Sequence, residues 1–110
     1  MHELGITQSL IEIALDHAQG QTVTRVILEI GQLTAISPEA IAFCFDACCP
    51  GTVLENAVLE ILEIPGKGRC QACQTEIPLT HPFGLCPCGS VHLQILQGQE
   101  LRVKAIEIQD

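Results

Sequence analysis

The stretch Arg69–Gly89, RCQACQTEIPLTHPFGLCPCG, contains two close pairs of cysteines. Cys70 and Cys73 form a C-x2-C pair, and Cys86 and Cys88 form a tighter C-x-C pair after twelve intervening residues. Two cysteine pairs separated by a short polar loop are typical of a four-thiolate zinc knuckle. The prolines and glycines of this stretch favour the chain reversals that such a site needs. The sequence therefore predicts a zinc site with these four thiols as ligands.

Other interpretations of the cysteines stay open at this point. His81 and His92 flank the predicted site, and either imidazole could replace a thiolate. Two disulfides, or a redox dithiol formed by the first pair, are the alternatives to zinc, although an odd total of seven cysteines fits a disulfide framework poorly. Cys44 and Cys48 lie four residues apart and could share a metal ion, but we expect them to pack as small apolar side chains.

The composition limits the classes of function. The 110 residues suffice for one domain, or for a small core that carries an inserted module. A formal net charge of −8 argues against nucleic-acid binding, and the absence of Trp and Tyr removes stacking platforms for bases. The sequence contains no visible secretory signal and no apolar run of membrane-spanning length. We therefore expect a cytoplasmic protein, in which reduced, paired cysteines usually bind metal.

Apolar spacing and capping residues predict two helices. Apolar residues recur with helical spacing over residues 6–18, and Gly20 is suited to end this helix. Ser37 and Pro38 are typical of an N-cap and a first helical position, so a second helix is expected to run to residue 48 or 49. The buried face of the second helix is expected to contain Ile41, Phe45 and Cys48.

Stretches rich in β-branched residues predict three strands, at residues 22–33, 57–64 and 100–108. One face of the first strand is expected in the core, and the other face, with Arg25 and Glu29, mostly in solvent. The second strand is expected to end at Pro65-Gly66. In the third strand the apolar phase changes near Ala105, which predicts a bulge or a change of packing surface.

The predicted order is helix, strand, helix, strand, cysteine module, strand. We therefore expect an α+β fold in which a small mixed three-stranded sheet with two helices carries an inserted zinc-ribbon-like module. The expected domains are residues 1–65 plus 96–110, and residues 66–95, with linkers near Pro65-Gly66 and Gly98.

Met1-His2-Glu3 offers a second set of metal ligands. A free α-amine, backbone amides and the His2 imidazole can close fused chelate rings around one square-planar Ni²⁺ or Cu²⁺ ion. Amide nitrogens must lose protons to bind, so the affinity should fall as the pH drops. An ordinary exposed histidine beside Met1 is the alternative, because one histidine alone is a weak metal signal.

Five further short motifs are distributed along the chain: Gly31 and Leu33, Ala42–Asp46, Gly51-Thr52, Cys88-Gly89-Ser90 and Glu100-Leu101. Together with Met1-His2-Glu3 and the two cysteine pairs, they resemble the HypA/HybF family of hydrogenase-maturation nickel chaperones. The resemblance covers essentially the whole chain. One departure is the second pair, which is usually C-P-x-C in that family and is Cys86-Pro87-Cys88 here, so that participation of His81 or His92 becomes a more open question.

The resemblance implies a nickel-binding domain of mixed α/β structure with an inserted zinc domain. It implies that Ni(II) is cargo, held by the N-terminal amine at Met1, the His2 imidazole and the backbone nitrogens of His2 and Glu3. It also implies structural Zn(II) on Cys70, Cys73, Cys86 and Cys88. The implied partners are the GTPase HypB and the large subunit of [NiFe]-hydrogenase.

No catalysis is expected, because no nucleophile–base pair, phosphate loop or pair of acids placed for acid–base work is visible. A zinc-ribbon interaction module without nickel cargo is the alternative function.

Overall fold

Two helices and six strands form within residues 2–110, the part of the chain that the computed structural model describes, with only the backbone described for His2. The elements are α1 (His2–Ala18), β1 (Val23–Gly31), α2 (Pro38–Cys48), β2 (Val58–Ile64), β3 (Gly66–Cys70), β4 (Glu76–Leu79), β5 (Leu93–Gln97) and β6 (Leu101–Ile108). The strands form two sheets of three, with the orders β2-β1-β6 and β4-β3-β5. The predicted α+β class is confirmed. Neither helix of the described part is long and apolar enough to cross a membrane.

The first sheet is mixed, as predicted. The amide of Val23 donates to the carbonyl of Val53 before β2 begins, and the amide of Gln32 donates to Ile64 at the end of β2. β1 and β2 therefore run in the same direction, and α2 supplies the crossover that a parallel pair requires. On the other side of β1, the amide of Gly31 at the end of β1 donates to the carbonyl of Glu100 just before β6. The amide of Gln109 just after β6 donates to the carbonyl of Thr22 just before β1, so β6 runs antiparallel to β1.

The two helices contact each other, and each buries one apolar face. Ser37 caps α2 as predicted, because its hydroxyl accepts a hydrogen bond from the amide of Ala40 at 3.2 Å. Pro38 occupies the first helical turn, where its missing N–H costs no hydrogen bond. The buried apolar residues of the helices are Leu10, Ile11, Ala14, Ala18, Ile41 and Phe45.

Two expected exposures in this region are wrong. Cys48, which is expected on the buried face of α2, is only half-buried. The buried thiol belongs instead to Cys49, the C-cap residue, which is 2% exposed. Glu29 was expected in solvent but is only 8% exposed. The reason is Arg102 on the neighbouring strand, whose Nε donates to the Glu29 carboxylate at 2.5 Å and compensates the charge.

In β6 the predicted change of phase is confirmed. Leu101 and Val103 are half-buried, Lys104 and Ala105 are both exposed, and the half-buried positions then continue at even-numbered residues.

The second sheet was not predicted as strands. Gly66 begins β3 rather than ending β2, and β3 pairs antiparallel with both β4 and β5. β3 contains Gly66 and Gly68, and a Cβ atom at Gly68 would lie 2.8 Å from Cδ1 of the buried Leu79. The glycines therefore allow Leu79 to pack closely over β3. A shift of register between Lys67 and Gly68 marks an irregularity in the pairing with β5.

The chain divides into two compact units. The first comprises Met1–Glu29, Ile36–Leu62 and Arg102–Asp110, and it contains the two helices. The second comprises Ile30–Ala35 and Glu63–Leu101, and it contains β3, β4, β5 and both cysteine pairs.

Candidate metal centre

Four thiols converge at one end of the second sheet. Cys70 ends β3, Cys73 lies in the turn that follows, and Cys86 and Cys88 lie in the segment between β4 and β5. Their four sulfur atoms all lie within 4.8 Å of one another, and the Cys70–Cys88 and Cys73–Cys86 Sγ distances are both 3.6 Å. Cys70 and Cys86 are buried, whereas Cys73 and Cys88 are exposed. The cluster is therefore half enclosed by the protein.

The first cysteine pair is formed by a tight turn after β3. The amide of Gln74 donates to the carbonyl of Cys70 at 2.8 Å, and the amide of Cys70 donates to Thr75 at 2.9 Å. Gln74 has a φ of 67°, a left-handed conformation that lets the chain reverse direction. This turn brings the side chain of Cys73 back towards that of Cys70.

The second pair uses the same kind of turn with one residue fewer between its cysteines. The amide of Gly89 donates to the carbonyl of Cys86 at 2.8 Å, and the amide of Cys86 donates to Ser90 at 2.9 Å. Gly89 has a φ of 98°, a conformation that is inexpensive only for glycine. The C-x-C spacing is therefore compatible with convergence of both thiols on one point.

The sulfur positions fit a tetrahedral metal ion. With Zn–S bonds of about 2.3 Å, tetrahedral geometry places neighbouring sulfurs about 3.8 Å apart. The observed 3.6 Å is close to this value and far longer than a disulfide bond of about 2.05 Å. All seven cysteines are free, which argues against the alternative of two disulfides. Four thiols in this arrangement fit a structural zinc site.

Two of the four thiols are poised to ionise. The backbone N–H of Cys73 is the largest cause that lowers the pKa of Cys70, which falls to about 6. The hydroxyl of Thr75 is the largest cause that lowers the pKa of Cys73, and its Oγ1 lies 3.2 Å from the Cys73 sulfur. Hydrogen bonds to the charged form thus favour thiolates at these positions.

The other two thiols hold their protons more tightly when no metal is bound. The N–H of Cys88 acts to lower the pKa of Cys86, but burial and the three neighbouring thiols together raise it to about 12. For Cys88, the N–H of Ser90 acts in the same direction, yet the thiols of Cys70 and Cys73 outweigh it and raise the pKa. A divalent cation removes this conflict, because it offsets the charge that four adjacent thiolates accumulate.

Neither flanking histidine belongs to the cluster of close ligand atoms in the described part of the chain. The ring of His81 stacks instead on Phe83, with the ring centroids 5.8 Å apart and the planes inclined by 18°. Cys44 and Cys48 are half-buried on α2 and likewise lie outside the cluster. Sequence reasoning missed Thr75, whose only signal is a hydroxyl two residues after Cys73.

The second predicted ligand set is only partly described. Met1 and the side chain of His2 lie outside the described residues. Glu3 is half-buried in the first turn of α1, and its carbonyl accepts a hydrogen bond from the hydroxyl of the buried Thr7 at 2.6 Å. A hydrogen bond from its own backbone amide is the largest cause that lowers the pKa of the Glu3 carboxyl, and the amide of Ser37 contributes. Glu3 is therefore an anion at neutral pH.

The chain is similar to known proteins over nearly its whole length. A family model described as "Hydrogenase/urease nickel incorporation, metallochaperone, hypA" matches residues 1–108. A "Hydrogenase maturation factor HypA" from Nostoc punctiforme is 60% identical over 110 residues, which cover 100% of this chain and 97% of that relative. Another of the same description from Trichormus variabilis is 59% identical with the same coverage.

Two solved structures share the fold. The solution structure of the Ni metallochaperone HypA from Helicobacter pylori matches with a TM-score of 0.70 and 25% identity, covering 96% of each chain. A second solution structure of a HypA protein matches with a TM-score of 0.71 and 28% identity, covering 99% of this chain and 97% of that one.

Proposed function

The chain belongs to the HypA family of nickel metallochaperones for hydrogenase maturation, and we propose that it binds Ni²⁺ through Met1, His2 and Glu3 and delivers it to the large subunit of [NiFe]-hydrogenase. The observation that carries the proposal is the family match, which begins at residue 1 and so includes the nitrogen-rich start of the chain. The metal ion is cargo, and the chain has no catalytic role. The proposed setting is the cytoplasm, with the GTPase HypB as a partner.

The start of α1 supports the nickel ligand set. α1 begins at His2, and the first four N–H groups of a helix have no intrahelical acceptor. The amides of His2 and Glu3 can therefore release their protons to solvent and bind a metal ion without breaking a helical hydrogen bond. The partial positive charge of a helix N-terminus also stabilises a deprotonated, anionic amide. The α-amine of Met1 and the His2 imidazole complete a four-nitrogen set suited to square-planar Ni²⁺.

The carboxylate of Glu3 supports the same site from outside the ligand set. Its pKa is lowered, so it carries a negative charge next to the proposed cation. The largest cause of that shift is a hydrogen bond from the Glu3 amide, which belongs to the proposed nickel ligand set. We propose that this carboxylate orients His2 by hydrogen bonding.

Zinc has a structural role in this proposal. Cys70, Cys73, Cys86 and Cys88 are the proposed ligands, and they order a segment that is too poor in apolar side chains to fold alone. We assign residues 66–95 to the zinc domain and residues 1–65 plus 96–110 to the nickel domain. Because the two metals have different ligands in this proposal, nickel can leave while zinc stays bound.

The test is a nickel titration of protein that carries a free amine on Met1, beside the variant His2→Ala, with zinc counted in both. We expect about one square-planar nickel per chain in the natural sequence, none in the variant, and unchanged zinc. Equal nickel binding by both proteins, or by neither, would overturn the nickel site. The zinc-ribbon interaction module without cargo would then be the better description.

A further inference from the structure

The lysines and arginines of the chain lie outside its two helices. None of the Lys and Arg residues lies in α1 or α2, and the five are Arg25, Lys67, Arg69, Arg102 and Lys104. Four of them form ion pairs with acids on strands, at Glu60, Glu107, Glu76 and Glu29. The exposed helix acids Glu12, Asp16, Glu39 and Asp46 form no ion pair within the described residues. These four acids therefore present negative charge that no Lys or Arg of the described residues offsets.

An open groove runs along α1 in the first unit. It has a volume of about 500 Å³, and its lining residues are Gln8, Ile11, Glu12, Leu15, Cys48 and Thr52. The walls are mainly apolar, and Glu12 places one carboxylate at the edge. Asp16 is exposed one turn after Glu12 and extends the acidic edge.

The groove follows a regular stripe of α1. Leu4, Gln8, Ile11 and Leu15 recur at i, i+4, i+7 and i+11, the spacing of one helix face. At 1.5 Å per residue the stripe is about 16 Å long, roughly three helical turns. Leu4 lies at its N-terminal end with 45% of its surface exposed. Gln8 is the polar member and Ile11, at 6% exposure, forms the floor of the groove, so Leu4 and the half-buried Leu15 are the apolar side chains that a bound helix would contact.

We propose that this stripe, Leu4, Gln8, Ile11 and Leu15 with its acidic edge at Glu12 and Asp16, is the docking surface for a basic amphipathic helix of a partner protein. The apolar side chains of that helix would enter the groove, and its flanking Lys or Arg residues would pair with the acidic edge. Charge complementarity decides the occupant, because no Lys or Arg of the described residues pairs with the acidic edge. A second copy of this chain fits poorly, since its helices also lack Lys and Arg and would repel the edge.

The test uses zinc-loaded, nickel-free protein, so that its failure is separate from failure of the nickel proposal. The probe is a synthetic peptide of about 16 residues with Leu at i, i+4, i+7 and i+11 and Lys at the flanking positions. We expect saturable binding in calorimetry that weakens as salt rises. A scrambled peptide of the same composition, and a peptide with Glu in place of Lys, should bind at least about tenfold more weakly.

Two matched pairs of variants locate the surface. Leu4→Ser should weaken peptide binding about tenfold, whereas Ile13→Ser should not. Ile13 is 44% exposed, almost as much as Leu4, but lies nine residues further along α1 and so on the opposite face. Glu12→Gln should weaken binding about threefold and reduce its salt dependence, whereas Glu63→Gln, an equal change of charge on β2, should not.

Equal effects of Leu4→Ser and Ile13→Ser, or equal binding of the scrambled peptide, would overturn the proposal. Concentration-dependent dimerisation that Leu4→Ser abolishes would overturn it too, because a second copy would then be the occupant. Glu12→Gln keeps the test decisive if Leu4→Ser proves unstable, since it changes only an exposed charge.

Discussion

The sulfur atoms of Cys73 and Cys86 lie 3.6 Å apart, although thirteen positions separate the two residues in sequence. Each belongs to a separate turn, and each turn is closed by its own backbone hydrogen bonds. The second sheet holds the two turns together, because β3 precedes the first turn and β5 follows the second. On the proposed assignment, one zinc ion links them and stabilises the arrangement.

Loss of one ligand should therefore cost both the zinc and the local structure. We expect Cys73→Ser to lower zinc content from about one ion per chain to a small fraction, because three thiolates and a hydroxyl hold zinc weakly. Amide resonances of β3, β4 and β5 should lose their dispersion in a ¹⁵N–¹H spectrum. Cys44→Ser, which changes a half-buried thiol outside the cluster, is the control and should retain zinc. Full zinc content in Cys73→Ser would contradict the four-sulfur assignment.

Thr75 should tune zinc affinity without being a ligand. Its hydroxyl lies 3.2 Å from the Cys73 sulfur and is the largest cause of the lowered pKa of that thiol. We expect Thr75→Val to weaken zinc about tenfold in a competition assay with a chromophoric chelator, with the fold unchanged. Thr80→Val alters an exposed threonine for which no hydrogen bond is present in the described residues, and it should leave the affinity unchanged. Equal affinities in the two variants would show that the hydroxyl contributes nothing.

Features that depend on neighbouring residues could be predicted from the sequence. The cap at Ser37 and the apolar repeat of α1 are local patterns, and the structure has both. Convergence of Cys70 with Cys73 is also local, because a single turn closed at Gln74 produces it.

Features that depend on distant partners could not be predicted. β3 has the sequence GKGRC, which lacks β-branched residues, and it is a strand because β4 and β5 pair with it on both sides. The burial of Glu29 likewise depends on Arg102, which follows it by 73 positions. The hydroxyl of Thr75 contacts the sulfur of Cys73 because the turn brings the two side chains together, and this contact could not be predicted from the sequence.

The buried thiol of Cys49 should make the protein sensitive to alkali. Burial, and then the charges of Cys48 and Asp46, raise the pKa of Cys49 from its ordinary 9.0 to about 11. Between these values the unfolded chain binds fewer protons than the folded one, so folding loses stability as the pH rises. The contribution is fully present below pH 9, and about 2 kcal/mol is lost by pH 11.

Urea denaturation of Cys49→Ala checks this prediction. The variant should be about 1 kcal/mol less stable at neutral pH, because a buried side chain is shortened. Its free energy of unfolding should then fall less steeply than that of the natural sequence between pH 9 and 11. Identical slopes for the two proteins would show that the thiol titrates at the same pH in both states.

Gly31 should tolerate no side chain. A Cβ atom there would lie 1.9 Å from the carbonyl oxygen of Gly98, and the obstacle is backbone, which cannot rotate away. The amide of Gly31 also donates to Glu100 at 2.7 Å, so a displaced Gly31 would lose this hydrogen bond. We expect Gly31→Ala to lower the free energy of unfolding by about 3 kcal/mol or more.

Gly5→Ala is the matched control for Gly31→Ala, because Gly5 lies on α1 and a Cβ atom there would have nothing within 4 Å. Alanine favours a helix over glycine, so this variant should gain about 0.5–1 kcal/mol in the same urea denaturation. The opposite signs of the two changes separate steric overlap from a general effect of replacing glycine. If Gly31→Ala is as stable as the natural sequence, a Cβ atom at residue 31 must lie further from the carbonyl oxygen of Gly98 than 1.9 Å.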